Sequence, residues 1–250
     1  MPSTQISLFA TCFNDTFFPN ALKATVKVLE DLNCKIDFRL DQTCCGQMHL
    51  NTGYQKEAIQ LMKRTLDIFQ DANLIVAPSA SCIGMMREGY LYLAKETNDS
   101  SLIEKVQAFI PKAYEFTEFI VKVLGVEDLG AYYPHSVTYH PTCHSLRVLE
   151  LGDIPLRLLK KVRGINLIEL EESDECCGFG GTFSVKNPQT STAMLSDKMR
   201  HVLNTGAEIC TACDTSCLMH IGGGLDKMST GVGTLHIAEI LASRQQDYDD

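Results

Sequence analysis

Short apolar runs alternate along the chain with longer stretches in which apolar residues recur every three or four positions. Runs of the first kind are typical of buried strands, and stretches of the second kind are typical of helices with one buried face. The predicted strands cover residues 6–10, 35–38, 74–77, 136–139, 166–170 and 207–209, and the predicted helices cover 19–32, 54–70, 99–124, 156–162 and 189–205. Strands that alternate with helices predict an α/β fold with mainly parallel sheets and right-handed crossovers.

The predicted elements form two copies of one unit, recognisable by the same four cysteines. In each copy the first strand is followed by a cysteine. A helix and a second strand come next and are followed by Cys-Cys-Gly, and another helix and a third strand are followed by Ser-Cys. The first and second cysteines are separated by 31 residues in one copy and 32 in the other, and the third and fourth by 36 and 39. The repeat predicts two Rossmann-like lobes, residues 1–130 and 131–250, with residues 99–134 forming the bridge between them.

All eight repeated cysteines follow a predicted strand and precede, or begin, a predicted helix. In an open parallel sheet these positions meet at the carboxyl edge, where ligands bind. Helix N-termini at that edge offer N–H groups and a positive dipole end, which stabilise thiolates and anionic clusters. The sequence therefore predicts a cofactor and metal site built from Cys12, Cys44, Cys45, Cys82, Cys143, Cys176, Cys177 and Cys217.

The composition narrows the chemistry of such a site. The 250 residues include 31 acidic and 22 basic side chains, for a net charge of −9, and no basic stripe of the kind that binds nucleic acid. No apolar run is long enough to cross a bilayer and the N-terminus lacks the pattern of a secretory signal, so we expect a cytoplasmic protein, with any membrane association made through partners. Because thiols stay reduced in that compartment, the 11 cysteines indicate metal ligation or thiol chemistry rather than disulfides.

The neighbouring cysteine pairs favour an iron–sulfur cluster over a single zinc ion. Side chains of adjacent residues on extended backbone diverge, whereas structural zinc sites usually gather four sulfurs from CxxC knuckles. Gly46 and Gly178, which follow the two pairs, would let the backbone pass close to a bulky centre. Spacings typical of ferredoxins are absent, however, so zinc stays an alternative, and a metal-free thiol oxidoreductase is a third.

Several segments around these cysteines resemble the cysteine-rich CCG domain family. The segments span residues 7–12, 17–19, 42–47, 51–54 and 175–182, which read SLFATC, FFP, QTCCGQ, NTGY and ECCGFGGT. The family includes the B subunit of heterodisulfide reductases, the C subunit of anaerobic glycerol-3-phosphate dehydrogenase and glycolate oxidase iron–sulfur subunits, and the segments are most similar to its lactate utilization protein A branch. The resemblance implies a protein that holds a 4Fe–4S cluster and works with a ferredoxin-type iron–sulfur subunit and a third subunit to oxidise L-lactate to pyruvate.

The chain departs from the family's motif at one equivalent position in each copy. The fuller motif ends in CxxC, and Ser79 and Asp214 stand where its earlier cysteine is expected. Four ligands per copy are therefore expected rather than five, which argues against a disulfide-cleaving reaction. Cys213, Asp214 and His144 are weaker metal candidates; for Asp214 an outer-shell role is preferred, and Cys210 is expected to be a core residue. No residue is assigned a catalytic role.

Other residues near the cysteines are given structural roles. His140, His144 and His220 flank cysteines of the second copy, and hydrogen-bonded packing is preferred for each of them over metal ligation or proton transfer. The glycine runs 178–181 and 222–224 lack the order of a dinucleotide fingerprint, so we expect loops that approach the cysteine site closely. Arg87 and Arg147 could bind a carboxylate, but surface ion pairs are preferred.

Overall fold

Two four-stranded sheets, each entirely parallel, form the framework of the computed structural model, which describes residues 3–249. The first sheet has the order β2-β1-β3-β4 and the second the order β6-β5-β7-β8. The strands are β1 (Thr4–Leu8), β2 (Cys34–Phe38), β3 (Ile75–Ala77), β4 (Ala113–Glu115), β5 (Ser136–Tyr139), β6 (Asn166–Ile168), β7 (Ile209–Ala212) and β8 (Gly233–His236). The matching order and parallel pairing confirm the predicted α/β class.

Helices connect the strands in both halves. The α-helices are α1 (Cys12–Thr16), α2 (Pro19–Asp31), α3 (Gln47–Asn51), α4 (Gln55–Ile68), α5 (Ala80–Gly84), α6 (Tyr90–Glu96), α7 (Ser100–Phe109), α8 (Phe116–Glu118), α9 (Ile154–Lys160), α10 (Phe183–Lys186), α11 (Pro188–Asn204), α12 (Thr215–Lys227) and α13 (Ile237–Ala242). Three π-helical turns, Met85–Gly89, Phe119–Val123 and His144–Val148, join α5 to α6, continue α8 and precede α9. Short 3-10 turns cover Ile110–Lys112 and Gln245–Asp247. None of the helices described between residues 3 and 249 combines the length and apolar character that crossing a bilayer requires.

One apolar core joins the two halves. It contains Val28 and Leu29 from α2, Val137 from β5 and Ile237 and Leu241 from α13, and α2 packs along α13. Side chains of this kind each stabilise the fold by about 1.5–3 kcal/mol when fully buried. Because the core includes residues from before and after position 130, the division into two lobes at that point stays a prediction.

The two halves face each other with matching contacts. α1 packs against α12, and the π-helical turn His144–Val148 packs against α5. In the repeat, α1 is equivalent to that turn and α5 is equivalent to α12. The contacts are therefore reciprocal, as in a pseudo-twofold pair, and they bring the cysteine-bearing ends of both sheets together.

Two of the sequence predictions are wrong. The helix predicted over 99–124 is interrupted at Ile110–Lys112, where Pro111 lacks an N–H, and the chain then forms β4 at the sheet edge. The glycine run 222–224 is not a loop but lies within α12. A Cβ on Gly222 would come within 2.7 Å of Thr234 Oγ1, so this glycine lets the helix pack closely against β8.

Candidate metal centre

The cysteines of both halves lie at the carboxyl ends of strands. Cys12 begins α1 after β1, Cys44 and Cys45 lie between β2 and α3, and Cys82 lies near the start of α5 after β3. The second half repeats these positions with Cys143, Cys176, Cys177 and Cys217. Parallel strands place all of these segments at one edge of each sheet, as the sequence predicts.

These segments line one cleft between the halves, with a volume of about 230 Å³. All eight repeated cysteines contribute to its lining. Polar side chains connect the two halves here: in the lining, Gln47 Nε2 lies 2.7 Å from His144 Nε2. Outside the lining, Thr52 Oγ1 lies 2.5 Å from Thr182 Oγ1. The two cysteine sets therefore line one shared cleft between the halves.

The sulfur atoms of the first half form two close pairs. Cys12 Sγ lies 3.9 Å from Cys44 Sγ, and Cys45 Sγ lies 3.4 Å from Cys82 Sγ. Cys44 and Cys45 thus pair with different sulfurs, although the Cys45 thiol also interacts with the Cys44 sulfur. Three segments that are distant in sequence thus bring four sulfurs to the lining of the cleft.

Hydrogen bonds within each set favour a thiolate at the first cysteine of the Cys-Cys-Gly motif, which is Cys44 in the first half and Cys176 in the second. The pKa of Cys44 is held well below its ordinary value, because the thiols of Cys12 and then Cys45 donate to its sulfur. The pKa of Cys12 is raised in turn, since that thiol keeps the proton that it shares with Cys44. The pKa of Cys176 is lowered in the same way by Cys143 and Cys177. Both halves therefore concentrate negative charge at equivalent atoms.

A glycine supports this charge in each half. The N–H of Gly46 donates to Cys44 Sγ at 3.4 Å, and the N–H of Gly178 donates to Cys176 Sγ at 3.3 Å. The turn that aims each N–H back at the sulfur has φ of 89° at Gly46 and 86° at Gly178, a left-handed conformation that favours glycine. A Cβ on Gly178 would also lie 2.7 Å from Ser191 O, so α11 approaches too closely for any side chain there.

Ser79 and Asp214, the two residues that depart from the family's motif, contact each other. The hydroxyl of Ser79 donates to Asp214 Oδ1 at 2.6 Å, and the backbone N–H of Ser81 donates to the same oxygen at 3.1 Å. Thr142 donates to Asp214 Oδ2 at 2.8 Å. Asp214 is 2% exposed, and its charge lies at the N-terminal end of α5, where the helix dipole favours an anion. With both oxygens engaged, the carboxylate joins the two halves at the cleft, in line with its expected supporting role.

The weaker candidates divide between the cleft and the core. His144 lines the cleft, whereas Cys213 is fully buried outside it, with Tyr139 Oη 3.5 Å from its sulfur. Cys210 is buried in β7, as expected of a core residue. The arginines lie outside the cleft lining, with Arg87 paired to Glu118 at 2.7 Å and Arg147 donating to the Asp174 carbonyl at 2.8 Å.

One histidine approaches the sulfurs although its sequence context favours a packing role. A ring nitrogen of His140 and the sulfurs of Cys177 and Cys217 all lie within 4.8 Å of one another. The signal that could have identified it is its repeat position, since Phe9 stands three residues before Cys12 as His140 stands three before Cys143. A polar residue at an otherwise apolar position next to a ligand set indicates a specialised role.

The donor set as a whole suggests metal binding. Converging thiols, one of them a favoured thiolate in each half, are the ligands that soft and borderline metals prefer. The imidazole beside the second set belongs to the same class of ligand. Helix N-termini and glycine N–H groups around the sulfurs stabilise the negative charge that such ligands bring.

Comparison with known proteins agrees with the repeat and with the fold. A family profile described as a cysteine-rich domain, CCG, matches residues 6–87 and 137–222. Lactate utilization protein A of Oceanobacillus iheyensis is 43% identical over 97% of this chain and 98% of its own length. The proteins of that name from Bacillus velezensis and Bacillus subtilis are 46% and 45% identical, each over 96% of this chain and 100% of its own length. Among solved structures, a hypothetical protein from Helicobacter pylori shares the fold with a TM-score of 0.64 at 12% identity, over 96% of this chain and 48% of that one. The chain therefore belongs to the cysteine-rich CCG domain family and, within it, to the family of lactate utilization protein A.

Proposed function

We propose that this protein is the iron–sulfur-binding subunit of a cytoplasmic oxidoreductase complex that oxidises L-lactate to pyruvate. The observation that carries the proposal is the presence of two equivalent four-cysteine sets on one cleft, in a chain whose relatives are named for lactate utilization. The residues proposed to hold 4Fe–4S centres are Cys12, Cys44, Cys45 and Cys82 in the first set and Cys143, Cys176, Cys177 and Cys217 in the second.

The reaction needs centres that change oxidation state. Oxidation of a 2-hydroxy acid to a 2-oxo acid releases two electrons and two protons. Zinc has no redox chemistry, whereas an iron–sulfur cluster supplies one-electron transfer. The chain would hold such a centre by its thiolates, and the N–H groups of Gly46 and Gly178 would stabilise the sulfur charge and help set the potential.

The lining of the cleft supports electron transfer rather than binding of the hydroxy acid. In the part of the chain that the structure describes, the lining includes neither lysine nor arginine, and Asp214 contributes a carboxylate. A substrate carboxylate would meet like charge there without a cation to pair with. We therefore place the hydroxy-acid site on a partner, with a ferredoxin-type iron–sulfur subunit and a third subunit completing the complex.

A zinc-binding assembly subunit is the second candidate, and one distance favours it. Zn–S bonds of about 2.3 Å in a tetrahedron place two sulfurs about 3.8 Å apart. The sulfurs of Cys12 and Cys44 lie 3.9 Å apart. In that case the metal would support folding, and its removal would unfold the site rather than stop electron flow.

Metal and sulfide analysis of protein purified without oxygen separates these functions. We expect a brown protein that contains iron and acid-labile sulfide in equal amounts, with a visible absorption band that dithionite bleaches. Cys45→Ser should lose iron and sulfide from the first set, because Cys45 is 3% exposed within it and its sulfur contacts that of Cys82.

Cys34→Ser is the matched control, since Cys34 is a buried cysteine of β2 that lies outside the cleft lining. It should keep the iron content of the unaltered protein. Stoichiometric zinc without sulfide would support the assembly subunit instead, and a protein with reactive thiols but no metal would support a thiol oxidoreductase. Either result would refute the iron–sulfur proposal.

A further inference from the structure

The two halves differ at one buried position beside their cysteine sets. Phe9 directly follows β1 and His140 directly follows β5, so the two residues occupy equivalent places in the repeat. Both are buried, with exposures of 1% for Phe9 and 0% for His140. Phe9 packs in an apolar cluster that also contains Cys45 and Cys82. The first set therefore has an aromatic ring where the second set has an imidazole.

The imidazole of His140 lacks a protein partner. Among the described residues, neither of its ring nitrogens has a hydrogen-bond partner, although its backbone N–H donates to Thr211 O at 2.8 Å. Leaving a buried polar group without a partner is unfavourable, because the group loses its hydrogen bonds to water. Native proteins seldom retain such a group unless something else satisfies it.

The surroundings of His140 provide what a metal ligand needs. One ring nitrogen and the sulfurs of Cys177 and Cys217 lie within 4.8 Å of one another, close enough to share one ion. Because no protein group among the described residues engages either ring nitrogen, a nitrogen is free to bind such an ion.

We propose that His140 is a nitrogen ligand of a metal centre that it shares with Cys177 and Cys217, so that the two halves hold chemically different centres. The first centre has thiolate ligands only, and the second has mixed thiolate and imidazole ligands. The inference rests on the proposed function only in requiring that the second set binds metal. Where the neutral imidazole ligates in place of one of the four thiolates of the second set, the second centre carries less negative charge, and we then expect it to be the more easily reduced.

Cadmium binding to the metal-free protein tests this ligand without any iron–sulfur assembly. The probe is ¹¹³Cd²⁺ alone, added under reducing conditions to protein whose histidines carry ¹⁵N in the ring. Two cadmium resonances are expected, and only one should show coupling to ¹⁵N. Absence of that coupling, or absence of bound cadmium, would overturn the proposal.

Two histidine variants identify which ring is bound. His140→Phe, which gives the second half the residue of the first, should abolish the coupling and weaken one cadmium site by more than the roughly 10–100-fold that loss of an outer-shell partner costs. His201→Phe is the matched control, because His201 is another buried histidine of the second half, 7% exposed and outside the group of three ligand atoms. It should leave both resonances unchanged, and coupling that persists in His140→Phe would refute the assignment.

A folding defect would not hide the answer. If circular dichroism shows that His140→Phe does not fold, the coupling in the unaltered protein still decides whether cadmium binds a histidine nitrogen. His140→Gln, which changes the polarity less, then tests whether that nitrogen belongs to His140. The outcome is also separable from that of the proposed function. Iron and sulfide without the nitrogen coupling would leave the iron–sulfur proposal intact, whereas nitrogen-coupled cadmium in a protein that naturally contains zinc would sustain His140 as a ligand and refute the redox role.

Discussion

Replacing Glu115 by glutamine is expected to stabilise the protein, by an amount that grows as the pH rises. Glu115 ends β4 and is completely buried. Its Oε2 accepts hydrogen bonds from the Thr117 N–H at 2.8 Å and the Glu118 N–H at 3.1 Å, as well as from the Thr117 hydroxyl. Its Oε1 has no partner among the described residues. Burial raises the pKa of Glu115 to about 8 against these hydrogen bonds, and the charge of Asp214 raises it further.

The size and sign of the effect follow from that pKa. The ordinary value for a glutamate is 4.5, and the native value is about 8. Between these two values the unfolded chain releases a proton that the native state keeps, so the native state loses stability as the pH rises. The loss begins near pH 4.5, reaches roughly 4–5 kcal/mol near pH 8 and is constant above that. Between pH 5 and pH 8 alone it amounts to about 3–4 kcal/mol.

Urea denaturation of the metal-free protein measures this loss. Glu115→Gln removes the titrating group but keeps a carbonyl that can accept the N–H groups of Thr117 and Glu118. The measured quantity is the free energy of unfolding of the variant minus that of the unaltered protein. It should increase by about 3–4 kcal/mol from pH 5 to pH 8. The contributions of cysteine titration cancel in this difference, because both proteins contain the same cysteines. Glu104→Gln, at an exposed position of α7, should show no such trend. A difference that does not change with pH would refute the reasoning.

Two further sets of substitutions test the cleft. The first is a double-mutant cycle in which Ser79→Ala should cost about 1.5–3 kcal/mol, the value of a hydrogen bond to a charged group. Asp214→Ala should cost about 3–5 kcal/mol, because it leaves two buried hydroxyls and one partly buried N–H without their acceptor. A coupling energy near zero by urea denaturation would contradict the contact between Ser79 and Asp214. Gly178→Ala should cost about 2–4 kcal/mol, since a left-handed backbone and a Cβ 2.7 Å from Ser191 O both oppose it. Gly46→Ala, where the nearest atom is 3.4 Å away, should cost only about 1–2 kcal/mol, and equal losses at the two glycines would refute the steric explanation.

The repeat could be predicted from the sequence because strand ends and cysteines coincide in both copies. The prediction for β5, residues 136–139, agrees with Ser136–Tyr139, and the helix predicted over 19–32 agrees closely with Pro19–Asp31. Once the strands are parallel, the physics of the sheet places the residues after them at one edge. The convergence of the cysteines is therefore a consequence of topology, which the alternation of strands and helices already indicates.

The fourth strand of each sheet could not be predicted in this way. β4 spans three residues, Ala113–Glu115, and is too short to show the period of a strand. It forms because β3 offers an open edge, with Ile75 opposite Ala113 and Ala77 opposite Glu115. Local sequence patterns do not record the presence of such a partner. β8 likewise forms by pairing with the edge of β7.

Departures from the repeat carry information that the repeat itself does not. Ser79 and Asp214 depart from the motif at equivalent positions, and they meet across the cleft because the reciprocal packing of the halves brings equivalent residues together. A paired departure of this kind is explained by a contact between the copies. The change from Phe9 to His140 is unpaired, since only the second half acquires a polar group and that group has no protein partner among the described residues. The sequence alone cannot show which of these residues contact each other. The structure shows that Ser79 and Asp214 form a contact between the halves, whereas His140 marks a difference in chemistry between the two cysteine sets.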